Sequence, residues 1–300
     1  MGWNRIVVIM NPAARSMRAG GLVDKVRALR PAAEIHLTEA VGHATELAES
    51  LATDGADVVV AAGGDGTVNE VLQGLCRANA KRPDPTTHTA LGTLPAGTMN
   101  VFACELGFKS RRDFVSPWKA ITAGKARQID LWMANDRYFL QLAGVGADAE
   151  IVKSTTSALK NRFGPAAYGI SALQVLGRPS PILEMEVPSG EKHYGALALL
   201  GNGKRYGGPF KVFTQADVSD GLLDVIVFRD ASVGVLQFAE LVRSVLIGNF
   251  ACSEHLDYLR VPAITIRSST QVAVEVDGEL SGATPVVFRR ADFPLRVASA

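Results

Sequence analysis

Three glycines follow an apolar run in the first quarter of the sequence, at a spacing that could bind phosphate. The run from Val58 to Ala62 is short, apolar and rich in β-branched residues, which is typical of a parallel strand covered on both faces. Gly63, Gly64 and Gly66 come directly after it and carry no Cβ atoms that would keep backbone N–H groups away from an anion. This pattern predicts a phosphate-binding loop at the end of a buried strand.

A helix is predicted to begin just after this loop. Thr67 is followed three residues later by Glu70, which is the spacing of a capping box. Apolar residues then recur at helical spacing, at Val68, Val71, Leu72, Leu75 and Cys76. A helix that starts at Thr67 directs its unpaired N–H groups and positive dipole end back at the loop, where they stabilise anionic oxygen.

Asp65 is the unusual residue of this loop. A carboxylate among phosphate-binding groups is repulsive unless it holds Mg²⁺ or takes a proton. Its position therefore favours a part in chemistry, as a catalytic residue or one that organises the phosphate or a metal. The alternative is that Asp65 caps a neighbouring turn.

A second glycine-containing loop repeats the arrangement of the first. The apolar run 91–94 is followed by Pro95-Ala96-Gly97-Thr98, and another helix is predicted from about Thr98. Two such loops at one edge of a sheet can hold a polyphosphate between them. The pair of loops predicts a nucleotide site.

Short apolar runs and helical patterns alternate over the first 110 residues, and they must position these loops. Strands are predicted at 6–10, 34–37, 58–62 and 89–94, and helices around 22–29, around 44–51, from 67 and from about 98. This alternation implies a parallel sheet with helices on both faces, whose ligands gather at the carboxyl ends of the strands. The loops that begin at Asn11, Gly63 and Pro95 meet that description.

The second half of the sequence has a different texture. A basic stretch from Lys109 to Arg127 is a predicted linker, and beyond it short strands alternate with turn signals. The turn dipeptides are Asn135-Asp136, Ser189-Gly190, Asp220-Gly221 and Asp277-Gly278. These signals predict mostly antiparallel β structure, interrupted by helical segments near 150–176 and 233–247. The expected domains are 1–126 and 127–300, with residues from about 290 to 300 able to pack back on the first.

Composition and charge exclude several classes of protein. Lys and Arg number 31 against 30 Asp and Glu, so no global basic field attracts nucleic acid. Three widely spaced cysteines form no metal-binding pair and are typical of a reducing compartment. No apolar run approaches the roughly 18 residues of a membrane span. We expect a cytoplasmic protein without a nucleic-acid partner.

The order of these motifs resembles the bacterial diacylglycerol kinase and lipid kinase family, whose relatives include sphingosine and ceramide kinases. The glycine run at 63–67 also marks NAD kinases, so the joint order of the motifs carries the resemblance, which covers nearly the whole chain. The matching elements are Asn11-Pro12, Thr38 with His43-Ala44, Gly63 to Glu70, Pro95 to Asn100, Asp130, Asn202-Gly203 with Tyr206 to Gly208, Asp217 with Asp220 to Asp224, and Asp277 to Glu279.

The resemblance implies ATP on an α/β domain and a lipid alcohol bound by a second, β-sandwich domain. It assigns the nucleotide to Asn11, Pro12, Thr38, Gly63, Gly64, Asp65, Gly66, Thr67, Asn69, Glu70, Gly97 and Thr98. Thr38 follows a strand and could instead be an ordinary helix cap.

The resemblance also implies Mg²⁺ and a general base in the second domain. Asp220 with the backbone carbonyls of Asp217 and Leu222 resembles a structural Mg²⁺ loop, and Asp130 resembles its water-linked partner. Either Asp277 or Glu279 matches the base that deprotonates the lipid hydroxyl. Without the resemblance, the Asp-Gly dipeptides would be predicted as hairpin turns.

The function expected from these features is transfer of the γ-phosphate of ATP to the hydroxyl of diacylglycerol or a similar long-chain lipid. The alternatives are an NAD kinase-like enzyme and a non-catalytic nucleotide or lipid sensor on the same fold. A kinase with a membrane-resident substrate is expected to contact the inner membrane face transiently, and residues 109–127 and 160–163 are basic candidates for that contact. The sequence leaves the oligomeric state open, with a homodimer as one alternative.

Overall fold

The computed structural model describes residues 3–12, 19–29, 33–108, 114–146, 180–206, 210–230, 234–247 and 253–299. The chain divides into two compact units. Unit 1 is Met1–Leu131 with Ala291–Ala300, and unit 2 is Trp132–Arg290. The helix predicted near 150–176, the basic candidate 160–163 and the family element at 207–208 lie outside the described residues.

Unit 1 alternates strands and helices as predicted, and its last strand comes from the final residues of the chain. Its strands are β1 (Ile6–Met10), β2 (Glu34–Leu37), β3 (Val58–Gly63), β4 (Ala90–Pro95), β5 (Ala126–Ile129) and β20 (Leu295–Ala298). Its helices are α1 (Ala19–Leu29), α2 (His43–Thr53), α3 (Asp65–Asn79), α4 (Val101–Glu105) and α5 (Val115–Thr122), with a 3₁₀ turn at Pro85–Thr87.

These strands form one sheet in the order β2-β1-β3-β4-β20-β5. Strands β2, β1, β3, β4 and β20 pair in parallel, and β5 is antiparallel to β20. Strand β3 is buried along its whole length because helices cover both faces. On one face Val58 and Val60 join Trp118 of α5 in a core, while α2 and α3 pack against β1, β3 and β4. The predicted α/β class is confirmed.

The prediction of a linker over Lys109 to Arg127 is wrong for the residues described there. Residues 115–122 form α5, and Trp118 and Ile121 are buried in the core of unit 1. Pro117 occupies the first turn of α5, where a missing N–H removes no helix hydrogen bond. Charge and proline suggested a solvated connector, whereas the burial of Trp118 makes this segment part of the fold.

Unit 2 is built mainly from antiparallel strands. They are β6 (Trp132–Ala134), β7 (Arg137–Phe139), β8 (Leu142–Gly146), β9 (Leu183–Glu186), β10 (Lys192–Gly195), β11 (Leu197–Gly201), β12 (Arg205–Tyr206), β13 (Phe210–Lys211), β14 (Leu223–Phe228), β15 (Leu256–Val261), β16 (Ala263–Ser268), β17 (Ala273–Val276), β18 (Glu279–Ala283) and β19 (Val286–Arg290), with helix α6 (Val235–Ile247).

Two six-stranded sheets of unit 2 enclose a common core. Sheet B has the order β10-β9-β16-β19-β6-β7, and sheet C has the order β15-β14-β11-β8-β17-β18. Side chains such as Phe139 and Phe288 from sheet B meet Val225 and Val276 from sheet C in one buried cluster. Alternate residues of each strand face this core, as expected of a sandwich. The predicted β-sandwich is confirmed.

Three of the four predicted turn dipeptides connect paired strands. Asn135-Asp136 joins β6 to β7, Ser189-Gly190 joins β9 to β10, and Asp277-Gly278 joins β17 to β18. Asp220-Gly221 is the exception. It lies between β13 and β14, but β13 pairs with β12 and β14 pairs with β11.

No helix among the described residues is long and apolar enough to cross a membrane.

Candidate functional site

The carboxyl edge of the unit 1 sheet brings together the loops predicted to bind a nucleotide. Met10 pairs with Leu37 and Ala62, so Asn11-Pro12 and Thr38 emerge beside the end of β3. The backbone N–H of Asn11 donates to Ala62 O at 3.3 Å, and that of Thr38 donates to Met10 O at 2.9 Å. The strand order changes direction between β1 and β3, which is where α/β sheets place a ligand crevice.

The two glycine loops touch each other directly. The backbone N–H of Ala96 donates to Gly63 O at 2.8 Å, continuing the pairing of β3 with β4. A Cβ atom added to Gly97 would overlap with the Cα atom of Gly64. Asn100 fixes the second loop, because its Oδ1 accepts from Gly97 N–H and its Nδ2 donates to Gly97 O, each at 2.9 Å. The loops therefore form one surface with a fixed geometry.

Helix α3 begins at Asp65, two residues earlier than predicted, and the predicted capping box is absent. Gly64 is the N-cap and no side chain caps the helix. Thr67 is buried, and its side chain packs so closely against Gly63 that a Cβ atom there would overlap with it. Glu70 instead accepts a hydrogen bond at 3.2 Å from the N–H of Ala44 in the first turn of α2. A carboxylate stabilises the positive end of that helix, so Glu70 joins α2 to α3.

Asp65 stabilises the second loop through the helix that follows it. Its carboxylate accepts backbone hydrogen bonds from Asn100, Val101 and Phe102, at the start of α4. Burial raises the pKa of Asp65, and these N–H groups oppose the increase. Helix α4 begins at Val101 and not near Thr98 as predicted, because Thr98 belongs to the loop held by Asn100.

The remaining predicted nucleotide residues differ in exposure. Gly64, Gly97 and Thr98 are partly exposed and Gly66 is exposed, so they line the loop surface. Asn69 is buried within α3, and its Oδ1 accepts from Gln73 at 3.3 Å. The backbone N–H groups in the first turn of α3 have no partners within the helix, so they are the donors available to an anion at this loop.

The predicted residues of unit 2 collect at one edge of sheet C. Gly201 pairs with Leu142 and with Asp224, and Ala143 pairs with Val276. Because these strands are antiparallel, the end of β17, the start of β8, the end of β11 and the start of β14 share this edge. Residues distant in sequence thus lie on neighbouring strands.

The carboxylate of Asp277 binds the backbone of the neighbouring loop. Its Oδ2 accepts from Leu140 N–H at 2.8 Å, and its Oδ1 accepts from Gln141 and Leu142 N–H at 2.9 and 3.1 Å. Asp277 itself adopts a left-handed conformation, with φ of 47°. Three accepted hydrogen bonds fix the orientation of this carboxylate and leave about one of its roughly four acceptor positions for a further donor.

Glu279 lies two residues further on and is paired differently. Its Oε2 forms an ion pair with Arg137 of β7, and about 42% of its side chain is exposed. Gly278 between the two carboxylates has φ of 83°, a conformation that favours glycine. Both candidate bases therefore lie at the same hairpin with different environments.

The predicted metal loop offers oxygen ligands, and its carboxylate is already paired. Asp220 Oδ1 accepts from Leu222 N–H at 2.9 Å, and its Oδ2 forms an ion pair with Arg260. Asp217 Oδ1 accepts from the N–H of Ser219 at 3.0 Å. Oxygen donors fit Mg²⁺, while Arg260 supplies a competing positive charge. Across the described residues, no group of three His, Cys, Asp or Glu side chains forms a metal cluster.

Asp130 belongs to unit 1, where it is buried at the end of β5.

Asp224 is part of the family element at 220–224, but the sequence assigned it no role. It is fully buried in β14. Its Oδ1 accepts from the hydroxyl of Tyr258 at 2.6 Å and lies 3.4 Å from Arg260 Nε. Burial raises the pKa of the Asp224 carboxyl group, and burial with the adjacent Asp224 raises the pKa of Tyr258. The edge of sheet C therefore contains a coupled polar network.

Sequence reasoning missed four residues that complete these surfaces. Asn100 is hydrogen-bonded to Gly97. Arg137 forms an ion pair with Glu279, and Arg260 forms one with Asp220. The backbone N–H of Gln141 donates to Asp277. Asn100 is the last residue of the family element at 95–100, so its spacing from Gly97 was the available signal for a contact between them. Strand pairing brings Arg137, Gln141 and Arg260 to these surfaces, and a single sequence does not reveal which strands pair.

Comparisons with known proteins agree across both units. The family model described as "Diacylglycerol kinase catalytic domain" matches residues 5–134, and "YegS C-terminal NAD kinase beta sandwich-like domain" matches 142–299. A protein of Bacillus subtilis (strain 168) named "Diacylglycerol kinase" is 30% identical over 256 residues, covering 84% of this chain and 81% of its own length. One of the same name from Staphylococcus saprophyticus is 31% identical over 255 residues, covering 83% and 79%.

Solved structures show the same fold. A crystal structure from Bacillus anthracis str. Sterne aligns with a TM-score of 0.81 and 22% identity, over 100% of this chain and 98% of that chain. A second from that organism, of a diacylglycerol kinase, aligns with a TM-score of 0.74 and 20% identity over the same shares.

Proposed function

Because the chain belongs to the diacylglycerol kinase catalytic domain family, we propose that it transfers the γ-phosphate of ATP to the hydroxyl of diacylglycerol or a similar long-chain lipid. The kinase names of the curated relatives support the reaction class. The observation that carries the proposal is the direct contact between the two glycine loops of unit 1.

ATP binds to unit 1 in this proposal. Backbone N–H groups in the first turn of α3, with Gly97 and Thr98 opposite, bind the phosphates, since they are fixed before the ligand arrives. Asn11, Pro12 and Thr38 lie at the same sheet edge and contact the rest of the nucleotide. Asp65 holds the second loop in position through α4, a role that its backbone partners support.

Unit 2 supplies the groups that act on the acceptor. Asp277 orients the lipid hydroxyl and accepts its proton, and its fixed carboxylate supports this orienting role. Glu279 is the alternative base, because about 42% of its side chain is exposed and its Oε1 is left outside the ion pair that its Oε2 forms with Arg137. Phosphoryl transfer depends mostly on positioning and charge neutralisation, so a weak base suffices.

Mg²⁺ is the divalent cation expected with ATP, and when bound it neutralises phosphate charge. Within unit 2, Asp220 and the carbonyls of Asp217 and Leu222 would hold a structural cation. Arg260 forms an ion pair with Asp220, so a cation there would compete with this arginine.

A transient membrane contact fits a lipid substrate. Three apolar residues of helix α6 are largely exposed to solvent: Leu236 by 75% of its surface, Leu246 by 82% and Ile247 by 62%. Arg243 on the same helix is about half exposed and forms an ion pair with Glu240, so the apolar side chains carry the proposed contact. Exposed apolar side chains on one helix are typical of helices that lie in a lipid interface.

The decisive experiment offers labelled ATP and Mg²⁺ with diacylglycerol, monoacylglycerol, sphingosine, ceramide and NAD. A lipid should acquire the label, and NAD should not. Labelling of NAD alone would establish the NAD kinase-like alternative. No labelling on a broad lipid panel, with ATP still bound, would favour the sensor.

A further inference from the structure

The side chain of Gln141 is buried, and its amide finds no hydrogen-bond partner among the described residues. It lies between β7 and β8 and is 4% exposed. Neither its Nε2 nor its Oε1 contacts a donor or acceptor within the part of the chain that the structure describes. Native proteins seldom leave both ends of a buried amide unsatisfied, because each lost hydrogen bond to water goes uncompensated.

The backbone around Gln141 is held on both sides. Its N–H donates to Asp277 Oδ1, and its C=O accepts from Asn202 N–H, both at 2.9 Å. Asn202 Nδ2 also donates to Leu140 O at 2.7 Å. The backbone at Gln141 therefore cannot shift to find its side chain a partner without breaking these bonds.

Two other buried amides of this protein are paired at both the amide nitrogen and the amide oxygen. Asn202 uses its Oδ1 to accept from Trp132 Nε1 at 2.9 Å, and its Nδ2 is paired as above. Asn79 in unit 1 donates to Thr89 O at 3.1 Å and accepts from Thr89 N–H at 3.0 Å. Both the nitrogen and the oxygen of the Gln141 amide lack a partner among the described residues, whereas in these two amides each atom is paired, and this difference calls for a functional explanation.

The contact between Gln141 and Asp277 indicates which function this amide serves. Its backbone is bonded to the carboxylate of Asp277, the residue assigned above to the acceptor hydroxyl. A glutamine amide offers two N–H donors and one carbonyl acceptor. An acylglycerol presents the complementary set within a few bonds, namely a hydroxyl that donates and ester carbonyls that accept.

We propose that the Gln141 amide binds the polar part of the acceptor lipid, donating from Nε2 to an ester carbonyl and accepting at Oε1 from the hydroxyl. The inference rests on the proposed function and deepens it by making the acceptor an acylglycerol. Both amide atoms are covered, so the Gln141 side chain has to rotate toward the acceptor while its backbone stays in place. The two hydrogen bonds gained would offset part of the cost of that rotation.

The test replaces Gln141 by methionine, which has a similar length and no hydrogen-bonding amide. Gln141→Met should lower kcat/KM for diacylglycerol by about tenfold or more, with the KM for ATP unchanged. Its Tm should be unchanged or higher, because an apolar side chain suits an unsatisfied buried site. Gln141→Leu should behave in the same way if the methionine variant does not fold.

A second arm compares diacylglycerol with its dialkyl ether analogue, which keeps the hydroxyl and lacks the ester carbonyls. The wild-type enzyme should prefer the ester, and Gln141→Met should lose most of that preference. Asn79→Leu is the matched control, since it removes a satisfied buried amide far from Asp277 in sequence. It should lower the Tm and leave the ester-to-ether ratio unchanged.

The outcomes separate the two proposals. If the wild-type enzyme phosphorylates no lipid, the proposed function fails. If it phosphorylates lipid and Gln141→Met keeps both kcat/KM and the ester preference within about twofold, the inference about Gln141 is overturned. A variant that loses Tm and activity together, with the ester preference kept, would also overturn it, because the residue would then be structural.

Discussion

Gly64 and Gly97 lie so close together that neither can carry a side chain without moving the other. Each glycine belongs to a different loop, and the loops follow neighbouring parallel strands. A contact between two glycine backbones therefore sets the distance between the two halves of the proposed phosphate site.

Gly97→Ala should separate the loops and weaken ATP binding. Its Cβ atom would overlap with Gly64, and forcing such an overlap typically costs about 1–3 kcal/mol, which corresponds to about fivefold to 150-fold in affinity if it falls on the ATP-bound state. Titration calorimetry with ATP measures the effect. Gly21→Ala is the control, because a Cβ atom there meets nothing within 4 Å. Equal ATP affinity in Gly97→Ala and wild type would remove the loop contact from the site.

Asp65→Asn should change how stability depends on pH. Since burial raises the pKa of Asp65, its stabilising contribution is fully present below the unfolded pKa of about 4 and is lost as pH rises through the folded pKa. The variant lacks this titration, so its Tm relative to wild type should increase as pH rises from about 4.

Glu34→Gln provides a control of opposite sign. The hydrogen bond from Arg5 lowers the pKa of Glu34, so its contribution is present above the unfolded pKa and is lost as pH falls. Its Tm relative to wild type should decrease as pH rises, by a small amount because the pair is largely exposed. A constant Tm difference for Asp65→Asn would contradict the first expectation.

Mg²⁺ and Arg260 should compete for Asp220. Arg260→Gln removes the positive charge paired with that carboxylate, so the Tm should rise more on adding Mg²⁺ than it does in wild type. Asp220→Asn should reduce the Mg²⁺ response, because the anionic ligand is lost. Thermal unfolding with Mg²⁺ or EDTA measures both variants. Identical responses in all three proteins would exclude Asp220 as a ligand.

Asp277→Asn should lower turnover by about a hundredfold to ten-thousandfold, the usual effect of losing a general base, with ATP affinity near wild type. Glu279→Gln should have a smaller effect. Steady-state kinetics with both substrates varied makes the comparison. A larger loss in Glu279→Gln would reverse the two roles, and no loss in either would move proton removal elsewhere, with Asp65 the next candidate.

Charged substitutions on α6 should weaken vesicle binding. Leu246→Glu with Ile247→Glu places two carboxylates on the exposed apolar surface, and should reduce cosedimentation with anionic vesicles several-fold. Val41→Glu is the control, since Val41 is even more exposed than Leu246 and Ile247 and lies in unit 1. If both variants bind vesicles as wild type does, α6 does not contact the membrane.

Local patterns were enough to predict the first four strands of unit 1 and the loops at their ends, but not β5 or β20. The apolar run at 58–62 became β3, and the glycines after it lie where backbone N–H groups are free. The turn at Asp277-Gly278 was also predicted, since a left-handed pair between short strands has few alternatives.

Helix starts were predicted less well, because their partners are distant in sequence. Thr67 and Glu70 had the spacing of a local cap, yet Glu70 binds the start of α2. Helix α4 receives its cap from Asp65, some 35 residues earlier. The partners of Asp220 and Asp277, Arg260 and Gln141, depend on strand register, which periodicity does not reveal.

Strand β20 has a consequence for synthesis. Residues 295–298 lie between β4 and β5, while unit 2 occupies the chain between residues 132 and 290. A ribosome therefore releases most of the proposed nucleotide unit long before the strand that completes its sheet. Until then β4 and β5 each present an unpaired edge, so the nascent chain depends on unit 2 being made before unit 1 can close.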